Sequence, residues 1–293
     1  MSKKTLQSAF TLIELLVVIA IIAILMAIIM PSLRAARELA RGVNCMANQR
    51  SLILAYTMYA NGHDGRLVMG FVSRENMSLP MWSKPPLDEG GAYVSGNNVT
   101  LTDRIRGIQQ GMLYPYIRDH EMYHCPGDNR YRNSGNPGQA MYRSYIVPDV
   151  LAASKDFIEY SAVSSRHAHL VQKMDEIKIP SLKYAFCESD FRNPNFNYDH
   201  GGWTFAPWIM NGWPDALATF HSKSATFGFL DGHAERHKWA HITTWQAFKG
   251  DISLSPAVPP IAGNRDIKWC WEHYPYLSSN EKPKFSGSAG RGP

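Results

Sequence analysis

Residues Leu12 to Met30 read LIELLVVIAIIAILMAIIM, nineteen consecutive positions in which Glu14 carries the only charge. At ~1.5 Å per residue a helix of this length spans roughly 28 Å, close to the hydrocarbon thickness of a bilayer. Thirteen of the nineteen are Leu, Ile or Val. At about −0.3 to −0.6 kcal/mol each they outweigh the ~3 kcal/mol cost of one acid near a helix end. The segment is read as a membrane helix that inserts in spite of Glu14. A cleaved secretory signal fits less well, because its apolar region is about 7–15 residues long and ends at a small-residue site, whereas Pro31-Ser32-Leu33-Arg34 follow here. A plain signal anchor explains the apolar run equally well and leaves Glu14 unexplained.

Pro31 predicts a kink, yet Leu33, Ala36, Ala40, Val43, Ala47 and Leu54 recur at helical steps beyond it. One long, bent helix is therefore expected from about Phe10 to the stop signal at Asn61-Gly62. The apolar stripe should pack on a globular domain, and Arg34, Arg37, Glu38, Arg41 and Arg50 suit its wet side. Of the 293 residues, 45% are hydrophobic and 19% charged, so the remainder of the chain can build a core and is not disordered. The 22 Gly and 18 Pro favour short strands and long loops over a helical bundle. The net charge of +5 comes from Lys and Arg spread along the chain, with no basic stripe, so no nucleic-acid partner is expected. Four cysteines without a C-x-x-C motif exclude a disulfide scaffold and the simplest zinc motifs.

Charge leaves the orientation of the helix open, since Lys3 and Lys4 on one side face Arg34, Arg37 and Arg41 on the other. The string A-F-T-L-I-E at Ala9 to Glu14 resembles the prepilin processing site of type IV pilins and type II secretion pseudopilins. The resemblance implies a cytoplasmic leader of residues 1–9, cleavage between Ala9 and Phe10 by prepilin peptidase, and methylation of the new amino group on Phe10. Many family members have Gly where this chain has Ala9. It further implies that Glu14, the fifth residue after the cut, neutralises the amino terminus of a neighbouring pilin or pseudopilin subunit in a filament. The physics agrees, because a carboxylate in an apolar stretch is costly unless a cation pairs with it.

Two further matches, Asn44 to Leu67 and His221 followed after nine residues by Asp231-Gly232, resemble a group of large planctomycete- and verrucomicrobia-type pilin-related proteins with a C-terminal H-X9-DG signature. His124-Cys125-Pro126-Gly127-Asp128 and Ile179 to Glu188 are weaker echoes of it. The expected fold is α+β and pilin-like: a leader at 1–9, a long N-terminal helix at 10–61 with its transmembrane part at about 12–30, and a soluble domain at 62–293. An antiparallel sheet packs on the helix, and an H-X9-DG hairpin occupies 221–239. The implied location is the inner membrane, single-pass, with the domain periplasmic, followed by assembly into a pilus or pseudopilus.

Within the signature, Asp231-Gly232 predicts a tight type I′ turn between two strands. A rival reading puts His233, His237 and His241 on one helix face as metal ligands, while a strand would align His233, Glu235, His237 and Trp239. In the hairpin reading His221, Asp231 and His233 are candidate ligands of a divalent cation. Calcium prefers oxygen and fits two histidines poorly, so no cofactor is assigned and a hydrogen-bonding role for His221 is the alternative. In an oxidising compartment Cys125 with Cys187 is the candidate disulfide, each lying beside a turn or strand end. The aromatic stretch 190–215 suits sugar stacking or partner docking, or folds back on the sheet. No G-x-S-x-G, G-x-G-x-x-G or G-x-x-x-x-G-K motif is present. The expected function is a structural, non-enzymatic minor pilin or pseudopilin. The alternatives are a membrane-anchored glycan- or cation-binding protein, or a tethered metal-dependent hydrolase using His221, Asp231 and His233.

Overall fold

The computed structural model describes residues 11–96, 99–130, 142–152, 170–189, 217–249 and 264–275. Its first element, α1, runs from Leu12 to Asn61 as one 50-residue helix that contains Pro31. Residues 1–40 and 41–293 form two compact units, so the second half of α1 belongs to the globular part. Through the first unit the helix side chains are almost all exposed, among them Leu12 to Met30.

In the globular unit the buried residues of α1 are Gly42, Cys45, Gln49, Leu52, Ile53, Ala55, Tyr56, Tyr59 and Ala60, recurring mainly at three- and four-residue steps. The stripe expected from the sequence is turned outward instead, with Val43 at 58% and Leu54 at 61% exposure, and Ala47 exposed as well. A count of apolar residues misses the true face because a glycine, a cysteine and a glutamine stand in it. Gln49 is admissible there because its Nε2 donates to the carbonyl and Oγ1 of Thr226, each at 2.9 Å.

After α1 come α2 (Leu101–Gln109) and the short α3 (Tyr114–Ile117). Thr100 and Asp103 form a capping box at the start of α2. Four strands follow: β1 (Tyr145–Ile146), β2 (Tyr184–Glu188), β3 (Ser224–Phe229) and β4 (Ala234–Lys238), all antiparallel in the order β1-β2-β3-β4. This is the α+β arrangement expected from the sequence, a long apolar N-terminal helix with an antiparallel sheet. The helices α4 (Ile242–Lys249) and α5 (Arg265–His273) complete the described fold.

Every residue of β2 and β3 is buried, so the two central strands are covered on both faces. Gly228 and Thr226 face α1. Ala225, Phe227 and Phe229 join the opposite core with Trp239, Phe248, Ile267, Cys270 and Trp271. A register irregularity between Tyr184 and Phe186 breaks the alternation of β2. Consequently Tyr184 and Cys187 lie in the core on the α5 side, while Ala185 and Phe186 join the core of α1. Trp82 is fully buried in that latter core, edge-on to Phe186 at 5.3 Å and stacked on Tyr123 at 5.7 Å.

The β3–β4 turn is closed by Gly232 N–H donating to Phe229 O at 2.9 Å, and Phe229 N–H donates to His233 O at 2.8 Å. Gly232 has φ +101, whereas Asp231 is not among the residues of positive φ. A type I′ turn needs positive φ at both central residues, so the turn is not the one expected. Glycine alone takes the left-handed position, leaving Asp231 free to point its carboxylate at His233. The strand assignment of β4 also excludes a helical row of His233, His237 and His241.

At the far end of β4, Asp266 of α5 accepts the backbone N–H groups of Ala240 and His241, each at 3.0 Å, with His237 Nε2 at 3.5 Å. Burial works to raise this carboxyl, but His237 and the two N–H groups hold it below the ordinary aspartate value of about 3.9. A lowered folded-state value contributes stability that is present above the unfolded value and is lost as pH falls through the folded one. Chemical denaturation at stepped acidic pH should show this loss below the ordinary aspartate range, and Asp266→Asn should flatten that limb of the profile.

Candidate functional site

Two groupings of chemically distinctive side chains stand out, one at the exposed start of α1 and one buried under its second half. At the start, Thr11 donates to Glu14 Oε2 from its N–H at 2.9 Å and its Oγ1 at 2.8 Å, and Glu14 N–H donates back to Thr11 Oγ1 at 3.2 Å. This is a reciprocal capping box, with the carboxylate at the positive end of the helix dipole. It satisfies Glu14 within its own chain while leaving it in the exposed first turn. Ala9 and Phe10, the expected cleavage site, lie outside the described residues, as does the aromatic stretch 190–215.

The buried grouping is built by four segments. Cys45 sits on the inner face of α1, four residues before Gln49. Cys125 lies in the loop after the 3-10 turn Glu121–Tyr123, its N–H donating to Ser144 Oγ at 3.0 Å. Ser144 Oγ in turn donates to Asp128 Oδ2 at 2.7 Å, and Arg130 holds the same carboxylate through Nε and Nη2. Glu188 closes β2, and the irregularity in that strand swings it to the side of α1. His221 lies three residues before β3.

Cys45, Cys125, Glu188 and His221 are all 0% exposed, and one potential ligand atom from each lies within 4.8 Å of all the others. His221 Nε2 is the hub: it is 3.2 Å from Cys45 Sγ, 3.2 Å from Cys125 Sγ and 3.1 Å from Glu188 Oε1. The second carboxylate oxygen, Oε2, accepts Thr226 N–H at 2.8 Å. The opposite ring nitrogen of His221, Nδ1, is buried with no hydrogen-bond partner among the described residues, so the imidazole is positioned through Nε2 and by steric contact. A Cβ on Gly127 would stand 2.9 Å from His221 Cε1, and one on Gly42 would stand 3.8 Å from the ring. Gly127 therefore admits the imidazole, whereas a side chain at position 42 would meet it at ordinary contact distance. Burial, and next the charge of Glu188, push the Tyr145 phenol well above its ordinary value.

Cys45 and Cys125 are joined as a disulfide with Cα atoms 5.3 Å apart, closing a sequence separation of 80. The expected Cys125–Cys187 bridge is therefore corrected. Cys187 stays a buried thiol, carried by the strand irregularity into the core on the α5 side, whereas Cys45 and Cys125 share the core of α1. Sequence reasoning misses Cys45 by treating it as a helix residue alone. Its placement at i, i+4, i+7 and i+11 with Gln49, Leu52 and Tyr56 is the signal that it faces inward.

The expected trio His221, Asp231 and His233 is likewise not brought together. Asp231 and His233 pair with each other through Oδ1 and Nδ1 on the half-exposed turn, at 2.5 Å. His221 is buried at the other end of β3, whose six residues span about 20 Å at ~3.3 Å each. Glu188, for which the sequence carries no ligand signal, takes the place beside His221.

Residues 4–30 match the family described as prokaryotic N-terminal methylation motif, which covers residues 4–9 of the expected leader, the expected cleavage site and the apolar part of α1. The chain thus carries a prepilin-type N-terminus, as type IV pilin-like proteins do, on the one described helix that is long and apolar enough to cross a membrane. No curated protein matches the chain, and no solved structure does.

By the chain-entropy account a bridge closing a loop of this size is worth about 4–5 kcal/mol, and removal of a native disulfide costs about 2–5 kcal/mol. Cys45→Ser should lower the stability of the oxidised, metal-free chain by that amount in denaturant titrations followed by tryptophan fluorescence. Cys187→Ser should lower it less and should leave the Cys45–Cys125 peptide pair intact in a non-reducing digest.

Proposed function

We propose that this chain is a structural subunit, a minor pilin or pseudopilin, of a type IV pilus or a type II secretion-like filament. Prepilin peptidase cuts it between Ala9 and Phe10, the amino group of Phe10 is methylated, and the domain lies on the periplasmic side of the inner membrane before assembly with other pilin-type subunits. The observation that carries this reading is the methylation motif over residues 4–30, whose part from Leu12 onward lies on a helix with apolar side chains exposed well beyond a bilayer's thickness. Leu33 (44%), Leu39 (55%), Val43 (58%), Leu54 (61%) and Met58 (46%) continue the exposed apolar surface past Met30. A helix needed only as an anchor gains nothing from such residues in water, whereas packed helices in a filament would cover them.

Glu14 fits the same reading. Its capping box can exchange one set of donors for another, and a cationic N-methylated terminus offers a stronger, charge-assisted partner at the same depth. The H-X9-DG residues His221, Asp231 and Gly232 favour the group with large soluble domains, which suits a minor or specialised position. The reading assigns no catalysis. The Asp231–His233 pair lies on an exposed turn and the His221 cluster is closed to solvent, so neither offers a substrate a cleft.

Mass spectrometry of chain isolated from its native membrane should find N-methylated Phe10 as the first residue. Glu14→Ala should remain membrane-bound yet fall at least tenfold in the sheared filament fraction. An intact Met1, or unchanged incorporation of the variant, would overturn the assignment in favour of a non-assembling anchored protein.

A further inference from the structure

We propose that Cys45, Cys125, Glu188 and His221 form a buried divalent-metal site in the dithiol form of this chain, taking Zn2+ or a similar cation through two thiolates, one imidazole and one carboxylate. The inference does not rest on filament assembly. A disulfide by itself accounts for the two sulfurs but not for what surrounds them. A buried carboxylate and a buried imidazole aim at the same point, and His221 Nε2 lies 3.1 to 3.2 Å from all three other ligand atoms. Around a tetrahedral ion with bonds of ~2.0–2.3 Å, neighbouring ligand atoms stand about 3.3–3.8 Å apart. The three distances from His221 Nε2 need only a small expansion, the sulfurs separate once their bond is broken, and every other pair already lies within 4.8 Å.

The chemistry of the ligands selects the ion. Two thiolates with an imidazole suit zinc and exclude calcium and magnesium, which take oxygen. Four protein ligands, all 0% exposed, leave no open coordination position, which is the pattern of a structural site and not a catalytic one. Glu188 is already oriented as a ligand, because Thr226 N–H occupies Oε2 and leaves Oε1 towards the centre. Two thiolates and a carboxylate gathered in this interior would repel one another strongly, and a divalent cation compensates two of the three charges.

Both forms tie α1 to the domain at the same place. Conversion from the disulfide takes two electrons and two protons from an external dithiol, which leaves as its own disulfide, and breaks the Cys45–Cys125 bond to give two thiols. Binding then forms two metal–sulfur bonds and releases the two thiol protons; the imidazole shifts its ring proton from Nε2 to Nδ1, so that His221 Nε2 and Glu188 Oε1 each donate a lone pair.

The test uses the full chain in detergent, reduced with a dithiol, freed of it under anaerobic conditions, and titrated with Zn2+ or Co2+. The expected result is one Zn2+ per reduced chain and none per oxidised chain. The Co2+ form should show thiolate-to-metal charge-transfer absorption and the intense visible bands of a tetrahedral centre. Glu188→Gln should weaken Zn2+ binding at least about tenfold, Cys125→Ser should diminish the thiolate band, and Cys187→Ser should change neither. A reduced unmutated chain with native circular dichroism that binds no Zn2+, or a Co2+ form without the thiolate band, overturns the proposal without recourse to any variant. So does Zn2+ binding that survives Cys125→Ser and Glu188→Gln unchanged.

Discussion

The close approach of α1 to β3 is the constraint on which the rest of the globular unit depends. A Cβ on Gly228 would stand 3.1 Å from both Cβ and Oε1 of Gln49 and 3.3 Å from Ile53 Cγ1, so the helix lies against the strand with almost no side chain between them. Gln49 then reaches across to Thr226, using a polar group where burial would otherwise leave the strand's carbonyl facing only carbon. Because the helix comes this near, α1 lies directly on β3 on one face, while Trp82 shares the cover of β2 through Phe186. The other face of the two strands is left for Trp239, Phe248 and α5. The two cores share the sheet as a common wall, and a displacement of α1 would be felt in both.

The same approach explains which parts of the fold are legible in the sequence. The membrane-length apolar run and the stop at Asn61-Gly62 depend on local physics, hydrophobicity over nineteen positions and the loss of helix formers, and the helix ends where those signals change. The antiparallel sheet follows from short apolar runs broken by Asp-Gly. The inward face of α1 depends on what the helix meets. A face made of Gly42, Cys45, Gln49 and Tyr56 has little apolar contrast with the outward row of Val43, Ala47 and Leu54, so periodicity points to the wrong side. The turn at Asp231-Gly232 shows a finer version of the same limit. The dipeptide marks a turn, but the hydrogen bonds of Phe229 with Gly232 and His233 select its type.

The site is legible only in part for a related reason. Spacing from Asp231 singles out His221, and sequence proximity suggests that the two act together. An extended strand carries its ends apart, so residues ten positions distant in a hairpin arm meet different neighbours. His221 instead meets Cys45, 176 positions earlier, and Glu188, 33 positions earlier. No local pattern joins those three, and Glu188 reaches them only because β2 departs from simple alternation. Long-range clusters of this kind arise from topology, and their members read individually as a helix cysteine, a strand end and a loop histidine.

The location of the cluster has a mechanical logic if the chain works as a filament subunit. Load applied to the apolar part of α1 enters the globular unit through the helix residues that pack there, Gly42 to Ala60. The first of these to meet the domain are Gly42 and Cys45, beside His221 and Cys125. Dispersion contacts further along the helix are numerous but individually weak, and under shear they yield one after another. A covalent or metal-centred tie at the leading edge changes that behaviour, because the inner face cannot begin to peel until the tie gives way. Cys45 ties α1 covalently to Cys125, which lies before β1, and sets it against His221 ahead of β3 and near Glu188 at the end of β2. The cluster thereby links α1 both to the sheet and to the loop that Asp128 and Arg130 brace. Placing the tie at Tyr56 or Ala60 would have left the first turns of the buried helix to detach freely.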